Sequence, residues 1–311
     1  MIYCVSDIHG ELDKFERLLT LTQFSENDHL YVIGDAIDRC AMGVDILRLI
    51  MDTSNMTMLL GNHEQMCLAT LGPHNEFGTR ELWRQNGGSS TYRELLYHRT
   101  PHERNMILRF LAGLPDHLDI TVDGQQFHLV HGCPGADRDT RIWGRIKPED
   151  RSPYPDTICI VGHTPVNFLT GVSDQPFRIW HGDGIIDIDC GCGHQKTAQR
   201  RLTCLRLDDM AEFYVGNVDT EICSRPTRGN KWTEHMEQRV SDLILFAAET
   251  PTKPLYRRPE GILSLGKDEV GGSNPPSSSN NFRLNRKVWA DFAIFLQLFT
   301  TFLRPQKRPR Y

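Results

Sequence analysis

The sequence lacks a hydrophobic run long enough to cross a membrane. The segment from Trp289 to Leu303 is apolar, but it covers only fifteen residues and contains Asp291 and Gln297. A membrane-spanning helix needs about 20 apolar residues. Met1 leads directly into a predicted strand, with no secretory segment before it. We therefore expect no transmembrane segment and a cytoplasmic location.

The sequence also lacks the spaced cysteine pairs of a disulfide framework. Its nine cysteines are odd in number and scattered singly, which favours reduced thiols. Cys190-Gly191-Cys192-Gly193-His194 has the composition of half a zinc site. Because no second pair follows at a matching spacing, a simple loop is favoured over zinc binding.

Charge divides the chain into two parts. Residues 1–222 contain 20 Lys and Arg against 32 Asp and Glu, whereas residues 223–311 contain 15 against 8. The acidic part disfavours nucleic-acid substrates. The basic part includes a linker-like stretch at residues 271–281. We expect one catalytic domain over residues 1–222 and a low-complexity or poorly ordered tail over residues 223–311.

Two interpretations of this tail stay open. It resembles translated DNA beyond a natural stop codon, which would make it non-native. Alternatively, Trp289 to Leu303 lies on an acidic membrane surface, helped by the basic end of the chain.

Polar residues follow five short apolar runs, each at the point where the run ends. The runs are Ile2 to Val5, Leu30 to Ile33, Met56 to Leu60, Phe127 to Val130 and Ile158 to Val161. The segments after them are Ser6-Asp7-Ile8-His9-Gly10, Gly34-Asp35-Ala36-Ile37-Asp38-Arg39, Gly61-Asn62-His63-Glu64, His131-Gly132 and Gly162-His163-Thr164. Each short run, bounded by Gly or Asp, predicts a buried strand. Open α/β sheets bind ligands at such strand ends.

The remaining pattern predicts a mixed α/β protein. Helical spacing at Glu11 to Gln23 and Val44 to Met51 gives a βαβαβ start. Residues 63–113 are predicted to be mainly helical and to cap the site. Further strands are predicted at His117 to Val122, Gln125 to Val130, Thr157 to Val161, Gly184 to Ile188, Arg201 to Leu207 and Glu212 to Val215, the last two joined by a hairpin. Asp187 and Asp189 fall on this second group of strands, where a structural role is favoured over metal binding.

The polar segments contain the ligands of a two-metal site. Carboxylate, imidazole and amide groups suit divalent cations, and two cations about 3.5–4 Å apart need one bridging ligand. Taken singly, an Asp or Asn after a strand is more often a turn former or helix cap. Five such segments together favour the metal site.

The order and content of these motifs resemble the phosphoprotein phosphatase branch of the calcineurin-like metallophosphoesterases, with motifs GDxHG, GDxxDRG, GNHE, HG and GHT. The resemblance is strongest to the bacteriophage lambda and bacterial serine/threonine phosphatase type and covers roughly residues 1–216. Gln65-Met66, Trp83 to Gly88 and Ile142 to Arg145 add to it. It implies two packed mixed β-sheets flanked by helices, a four-layer αββα sandwich with a helical cap insert.

The resemblance also implies a role for each motif residue. Asp7 and His9 would hold one metal ion, Asp35 would bridge, and Asn62, His131 and His163 would complete the second site. The expected ions are two divalent metals, manganese first, with iron or zinc as alternatives.

The same comparison implies the catalytic groups. His63 would protonate the leaving alkoxide after attack by a water activated by both metals, and Asp38 would orient its imidazole. Arg39 and Arg145 would bind the substrate phosphate together with Asn62 and His63. Arg84 and Asn86 are expected to be solvated or structural.

Two positions depart from the family pattern, since Ser6 and Cys40 replace glycines. Ser is small enough to fit at a strand end. Cys40 would be strained if its turn required a positive φ, and this would displace Arg39. Its thiol could also inhibit the enzyme by oxidation or by binding metal, although an inert small side chain is the favoured alternative.

These expectations together describe a serine/threonine protein phosphatase whose partner is a phosphorylated protein or phosphopeptide. Two alternatives stay open. One is a symmetrical bis(5'-nucleosyl)-tetraphosphatase, which uses similar motifs. The other is a catalytically silent scaffold, although a binding module has no need for the proton donor His63.

Overall fold

The computed structural model describes residues 1–73, 78–217 and 219–223. The predicted tail therefore lies outside the described residues, apart from Cys223, and the domain boundary at residue 222 stays a prediction. The eleven strands are β1 (Ile2–Val5), β2 (His29–Val32), β3 (Met56–Met58), β4 (His117–Val122), β5 (Gln125–Val130), β6 (Thr157–Val161), β7 (Trp180–His181), β8 (Ile185–Asp187), β9 (Leu202–Arg206), β10 (Ala211–Val215) and β11 (Thr220–Cys223).

The helices lie between these strands. They are α1 (Leu12–Leu21), α2 (Gly43–Asp52), α3 (Asn62–Leu71), α4 (Thr79–Gln85), α5 (Ser89–Arg93), α6 (Pro101–Ala112), α7 (Arg138–Trp143) and α8 (Asn167–Thr170), and a π-helical turn, Glu94–His98, continues α5. The described residues between 62 and 112 are thus mainly helical, as predicted for residues 63–113. Helix α6 begins with a capping box, in which the Thr100 hydroxyl accepts the Glu103 amide hydrogen and the Glu103 carboxylate accepts that of Thr100.

The strands form two mixed sheets. The first has the order β11-β10-β9-β1-β2-β3, with β1, β2 and β3 parallel and the other neighbours antiparallel. The second has the order β4-β5-β6-β8-β7, with β5, β6 and β8 parallel. The predicted hairpin joins β9 and β10, with Met210 in the left-handed region at φ 59°.

The side chains of β1 alternate between the two faces of the first sheet, and this explains how the helices and the second sheet pack against it. Tyr3 and Val5 face a buried cluster shared with helices α1 and α2, whereas Cys4 faces a second cluster that includes Phe127 and Leu129 of β5. Successive side chains of a strand point to opposite faces, so one strand contributes to both clusters. The first sheet therefore has helices on one face and the second sheet on the other.

A third buried cluster covers the outer face of the second sheet. It contains Val130, Val161 and Ile185 from three neighbouring strands, together with Leu169 of α8. The predicted sandwich of two mixed sheets flanked by helices is confirmed. Strands β1, β2 and β3 are parallel to one another, and so are β5 and β6. In each sheet, the carboxyl ends of these strands therefore lie along one edge. The polar motifs come directly after these strand ends.

Candidate active site

The five predicted motifs meet at the carboxyl ends of β1, β2, β3, β5 and β6. Backbone hydrogen bonds connect the loops: the His9 amide donates to the Asp35 carbonyl over 3.0 Å, and the Gly162 amide donates to the His131 carbonyl over 2.9 Å. The structure brings together all seven side chains predicted to bind metal or to donate a proton, and all are buried: Asp7, His9, Asp35, Asn62, His63, His131 and His163.

The backbone of the site is unusual. Among the described residues, ten non-glycine positions have a positive φ, and the site contains six of them: Asp7, His9, Asp35, Asp38, Arg39 and His163. Left-handed backbone costs about 1–2 kcal/mol for a residue with a Cβ, and such strain concentrates at functional sites. The sequence shows no direct sign of it, because Asp, His and Arg are ordinary residues at strand ends.

Backbone carbonyls fix the orientation of two imidazoles. The Nδ1 of His9 lies 3.0 Å from the Ile37 carbonyl, and the Nδ1 of His131 lies 2.9 Å from the Ile33 carbonyl. A carbonyl can only accept, so each Nδ1 carries the hydrogen and each Nε2 presents a lone pair. This is the arrangement by which metal-binding histidines are oriented in proteins.

The two lone pairs point toward Asp35. The Nε2 of His9 lies 3.6 Å from Asp35 Oδ2, and the Nε2 of His131 lies 3.3 Å from Asp35 Oδ1. The His131 Nε2 also lies 3.1 Å from Asn62 Oδ1. Asp35 therefore stands between two groups of potential ligands.

These side chains fit a pair of cations. His9 Nε2 and Asp35 Oδ2 are buried and have no hydrogen-bond partner among the described residues, which is costly unless another group satisfies them. The ligand atoms of His9, Asp35 and His63 lie within 4.8 Å of one another, as do those of Asp35, His131 and His163. Burial lowers the pKa of His163 to about 3, which keeps its imidazole neutral.

His63 and Asp38 form a buried pair beside these groups. The His63 Nδ1 lies 2.6 Å from Asp38 Oδ2, and the His63 Nε2 lies 3.3 Å from the Arg39 guanidinium. Burial acts to lower the pKa of His63, but the Asp35 and Asp38 carboxylates outweigh it and raise that pKa. The pair can therefore hold a proton on an imidazole whose Nε2 faces the centre of the site.

The two arginines are held differently. The Arg39 amide donates to the Gly87 carbonyl over 3.1 Å, and a Cβ at Gly87, where φ is +99°, would lie 2.9 Å from the Arg39 Cγ. The guanidinium of Arg145 donates to the His163 carbonyl over 2.5 Å. Arg39 is partly exposed and Arg145 is exposed, so each can contact a solute that enters the site.

Residues 1–195 match the family model of the calcineurin-like phosphoesterases. The chain belongs to this family. The chain is 33% identical over 138 residues to the serine/threonine-protein phosphatase 2 of Escherichia coli strain K12, a match that covers 44% of this chain and 60% of that protein. It is 39% identical over 132 residues to the symmetrical bis(5'-nucleosyl)-tetraphosphatase of Acidovorax ebreus, covering 42% of this chain and 43% of that protein.

The chain thus matches less than two thirds of the length of either relative. A solved structure of a serine/threonine phosphatase from Saccharomyces cerevisiae aligns with a TM-score of 0.46 and 12% identity, covering 74% of this chain and 81% of that one. In the part of the chain that the structure describes, none of the helices has the length and apolar character needed to cross a membrane.

Glu64 is a site residue whose role the sequence did not reveal. It is fully buried, and its carboxylate accepts the amide hydrogens of Asp35, Ala36, Ile37 and Gly61 at 2.9–3.3 Å. Burial and the Asp35 carboxylate raise the pKa of Glu64 to about 7, while its four amide donors favour the charged form. Glu64 connects the loop after β2 to the start of α3. In the sequence, the only sign of this role was the position of Glu64 within the GNHE motif.

Trp83 is the second residue that sequence reasoning missed. Its indole Nε1 donates to Asp38 Oδ2 over 2.6 Å, and the Thr91 hydroxyl accepts the Asp38 amide hydrogen over 3.0 Å. Helices α4 and α5 therefore fix the carboxylate that pairs with His63. Arg84, by contrast, pairs with Glu81 at the surface, in line with its expected solvated role.

The two departures from the family pattern have local explanations. The Ser6 hydroxyl donates to the Ile33 carbonyl over 3.0 Å and contacts the Asp7 carboxylate. Cys40 is not among the positive-φ residues, so the condition for strain at Cys40 is not met; Asp38 and Arg39 take the left-handed positions instead. Burial raises the pKa of the Cys40 thiol, which favours the inert alternative.

The cysteine loop and the two aspartates of the second sheet have backbone roles. The Asp187 carboxylate accepts the Asp189 amide hydrogen, and the Asp189 carboxylate accepts that of Gly191, each over 2.8 Å. Cys192 contacts the Ile8 carbonyl through its thiol. Gly193 approaches His9 so closely that a Cβ would lie 2.3 Å from its ring, so this loop packs against the site.

Proposed function

We propose that this chain is a metal-dependent phosphomonoester hydrolase that acts on proteins or peptides carrying phosphoserine or phosphothreonine. The observation that carries the proposal is the buried His63–Asp38 pair, which lies beside the potential metal ligands His9, Asp35, His131 and His163. A proton donor next to a two-metal site is what hydrolysis of an alkyl phosphate requires.

In this proposal, Asp7, His9 and Asp35 hold one cation, and Asp35, Asn62, His131 and His163 hold the other. Divalent ions in these positions, manganese before iron or zinc, would supply Lewis acidity and a water of lowered pKa. The family membership and the unpartnered His9 Nε2 and Asp35 Oδ2 support this assignment.

The chain's own residues perform the remaining steps. Arg39 and Arg145 bind the phosphate oxygens and favour the charge that develops on them. His63 then gives its Nε2 proton to the leaving alkoxide. Asp38, held by Trp83, keeps the Nδ1 hydrogen in place, so the proton that leaves is the one that faces the substrate.

Two observations favour a protein substrate. Gln65 follows the GNHE motif directly, and its side-chain oxygen accepts a hydrogen bond from the Trp143 indole. This bond connects two segments that resemble those of the serine/threonine phosphatases. The Escherichia coli relative is a serine/threonine-protein phosphatase. All nine cysteines are free thiols, and a reducing, cytoplasmic compartment is part of the proposal.

Hydrolysis of symmetrical dinucleoside tetraphosphates is the second candidate, supported by the Acidovorax ebreus relative. A comparison of metal-reconstituted protein on phosphoserine and phosphothreonine peptides and on diadenosine tetraphosphate separates the two. We expect the higher kcat/KM with the peptides. A higher kcat/KM with the dinucleotide would contradict the proposed substrate class, and turnover of neither would favour a silent scaffold.

A further inference from the structure

Two histidines outside the active site lie side by side on the outer face of the second sheet. In the register of β4 and β5, His117 pairs with Val130 and Asp119 pairs with His128. His117 and His128 are therefore diagonal neighbours on one face, and their ring centres lie 5.4 Å apart. His128 precedes His131 by three residues, so roughly 10 Å of strand separates it from the active site.

A carboxylate orients each of these imidazoles. The Nδ1 of His117 lies 2.6 Å from Asp116 Oδ1, and the Nδ1 of His128 lies 2.7 Å from Asp119 Oδ1. The Asp116 carboxylate is held in turn by two hydrogen bonds from Arg141, of 3.1 and 3.0 Å. With a hydrogen on each Nδ1, each Nε2 presents a lone pair, as in the carboxylate–histidine–metal arrangement.

The free nitrogen of His128 is the unexplained feature. His128 is 3% exposed, and its Nε2 is buried with no hydrogen-bond partner among the described residues. Such a group is costly unless something satisfies it. His117 and His128 both line a cavity of about 390 Å³ together with Tyr154 and Gln126.

We infer that His117 and His128 form a second metal site, which takes one divalent transition-metal ion through their two Nε2 atoms. Nitrogen–metal bonds of about 2.0–2.1 Å at a tetrahedral angle place two ring centres roughly 5 Å apart, close to the separation observed here. Imidazole favours nickel, copper and zinc, and affinity for manganese is the lowest of this series. Water completes the coordination, and the ion links β4 to β5.

The test is a count of nickel in protein whose active site is already loaded with manganese. Wild-type protein and His117→Gln are dialysed to equilibrium against micromolar Ni²⁺ in excess Mn²⁺, and bound metals are measured by mass spectrometry. His102→Gln is the matched control, because His102 is an exposed histidine of α6. We expect wild type and control to bind one nickel ion more per chain than His117→Gln.

A second measurement separates a metal site from a general loss of folding. Nickel should raise the Tm of the wild type and the control more than that of His117→Gln, while all three hydrolyse p-nitrophenyl phosphate at the same rate. Equal nickel content in His117→Gln and wild type would overturn the inference. A wild-type dissociation constant for nickel weaker than about 1 mM, where binding contributes only about 4 kcal/mol, would overturn it as well.

Discussion

His63 is the single residue that most sharply separates catalysis from metal binding. If His63 only donates a proton, His63→Asn should keep its metal content and lose about 10²–10⁴-fold in rate on phosphoserine peptides. The loss should be smaller with p-nitrophenyl phosphate, since nitrophenolate leaves with little protonation. Rate and metal content are measured side by side, with His102→Asn as the control. An equal loss on both substrates would exclude the assigned role.

Asp38 acts through His63, so its effect should appear in the pH profile. The Asp35 and Asp38 carboxylates raise the pKa of His63, which keeps the proton donor charged to higher pH. Asp38→Asn removes one of these charges, lowers the pKa of His63 and should move the alkaline fall of kcat/KM on phosphopeptides to lower pH. A merely structural Asp38 would lower the rate and leave the position of that fall unchanged.

At the level of secondary-structure elements, Glu64 connects the loop after β2 to helix α3. Glu64→Gln keeps one carbonyl oxygen and loses the other acceptor, which leaves two of the four buried amides unpaired. Each unpaired buried group costs about 1–3 kcal/mol. We expect a lower midpoint of urea unfolding, and the exposed Glu26→Gln as control should not shift it. An unchanged midpoint would show that other groups hold this loop.

The sequence predicted the elements that carry the motifs, because alternating and helical spacing is a local signal. Strands His117–Val122, Gln125–Val130 and Thr157–Val161 have the predicted bounds. Two short strands, Trp180–His181 and Thr220–Cys223, were missed. They are defined by pairing with distant strands, and two to four residues carry too little pattern of their own.

The sequence was sufficient to predict which motif residues form the candidate site, but not how they are arranged in space. Motif order identified the side chains that the folded chain brings together, from Asp7 to His163. The link between Trp83 and Asp38 spans 45 residues, and no local pattern reports such a contact. The same holds for the four amides bound by Glu64, which depend on how two loops meet.

For the molecule as a whole, the position at which the folded domain ends can be tested by truncation. Strand β11 pairs with β10. Asp219, just before β11, and Glu221 within it accept hydrogen bonds from the buried Arg201. Ending the chain after Gly216 removes both carboxylates, and losing hydrogen bonds to a charged group costs about 1.5–3 kcal/mol. The Tm should fall by on the order of 10 °C.

Ending the chain after Cys223 keeps β11 and removes only the predicted tail. We expect its Tm, metal content and turnover to equal those of the full chain. Calorimetry on both truncated chains checks this pair of expectations. If the chain that ends at Cys223 unfolds or loses activity at saturating metal, the predicted boundary is wrong.

The measurement that tests the central claim most directly is activity after metal removal and return. The full chain is treated with a chelator, dialysed and assayed on p-nitrophenyl phosphate with and without Mn²⁺, while bound manganese is counted. Activity should disappear with the metal and return as two manganese ions bind per chain, and Asp35→Asn should recover neither. Hydrolysis that survives complete metal removal, or full metal content in Asp35→Asn, would contradict the two-metal account.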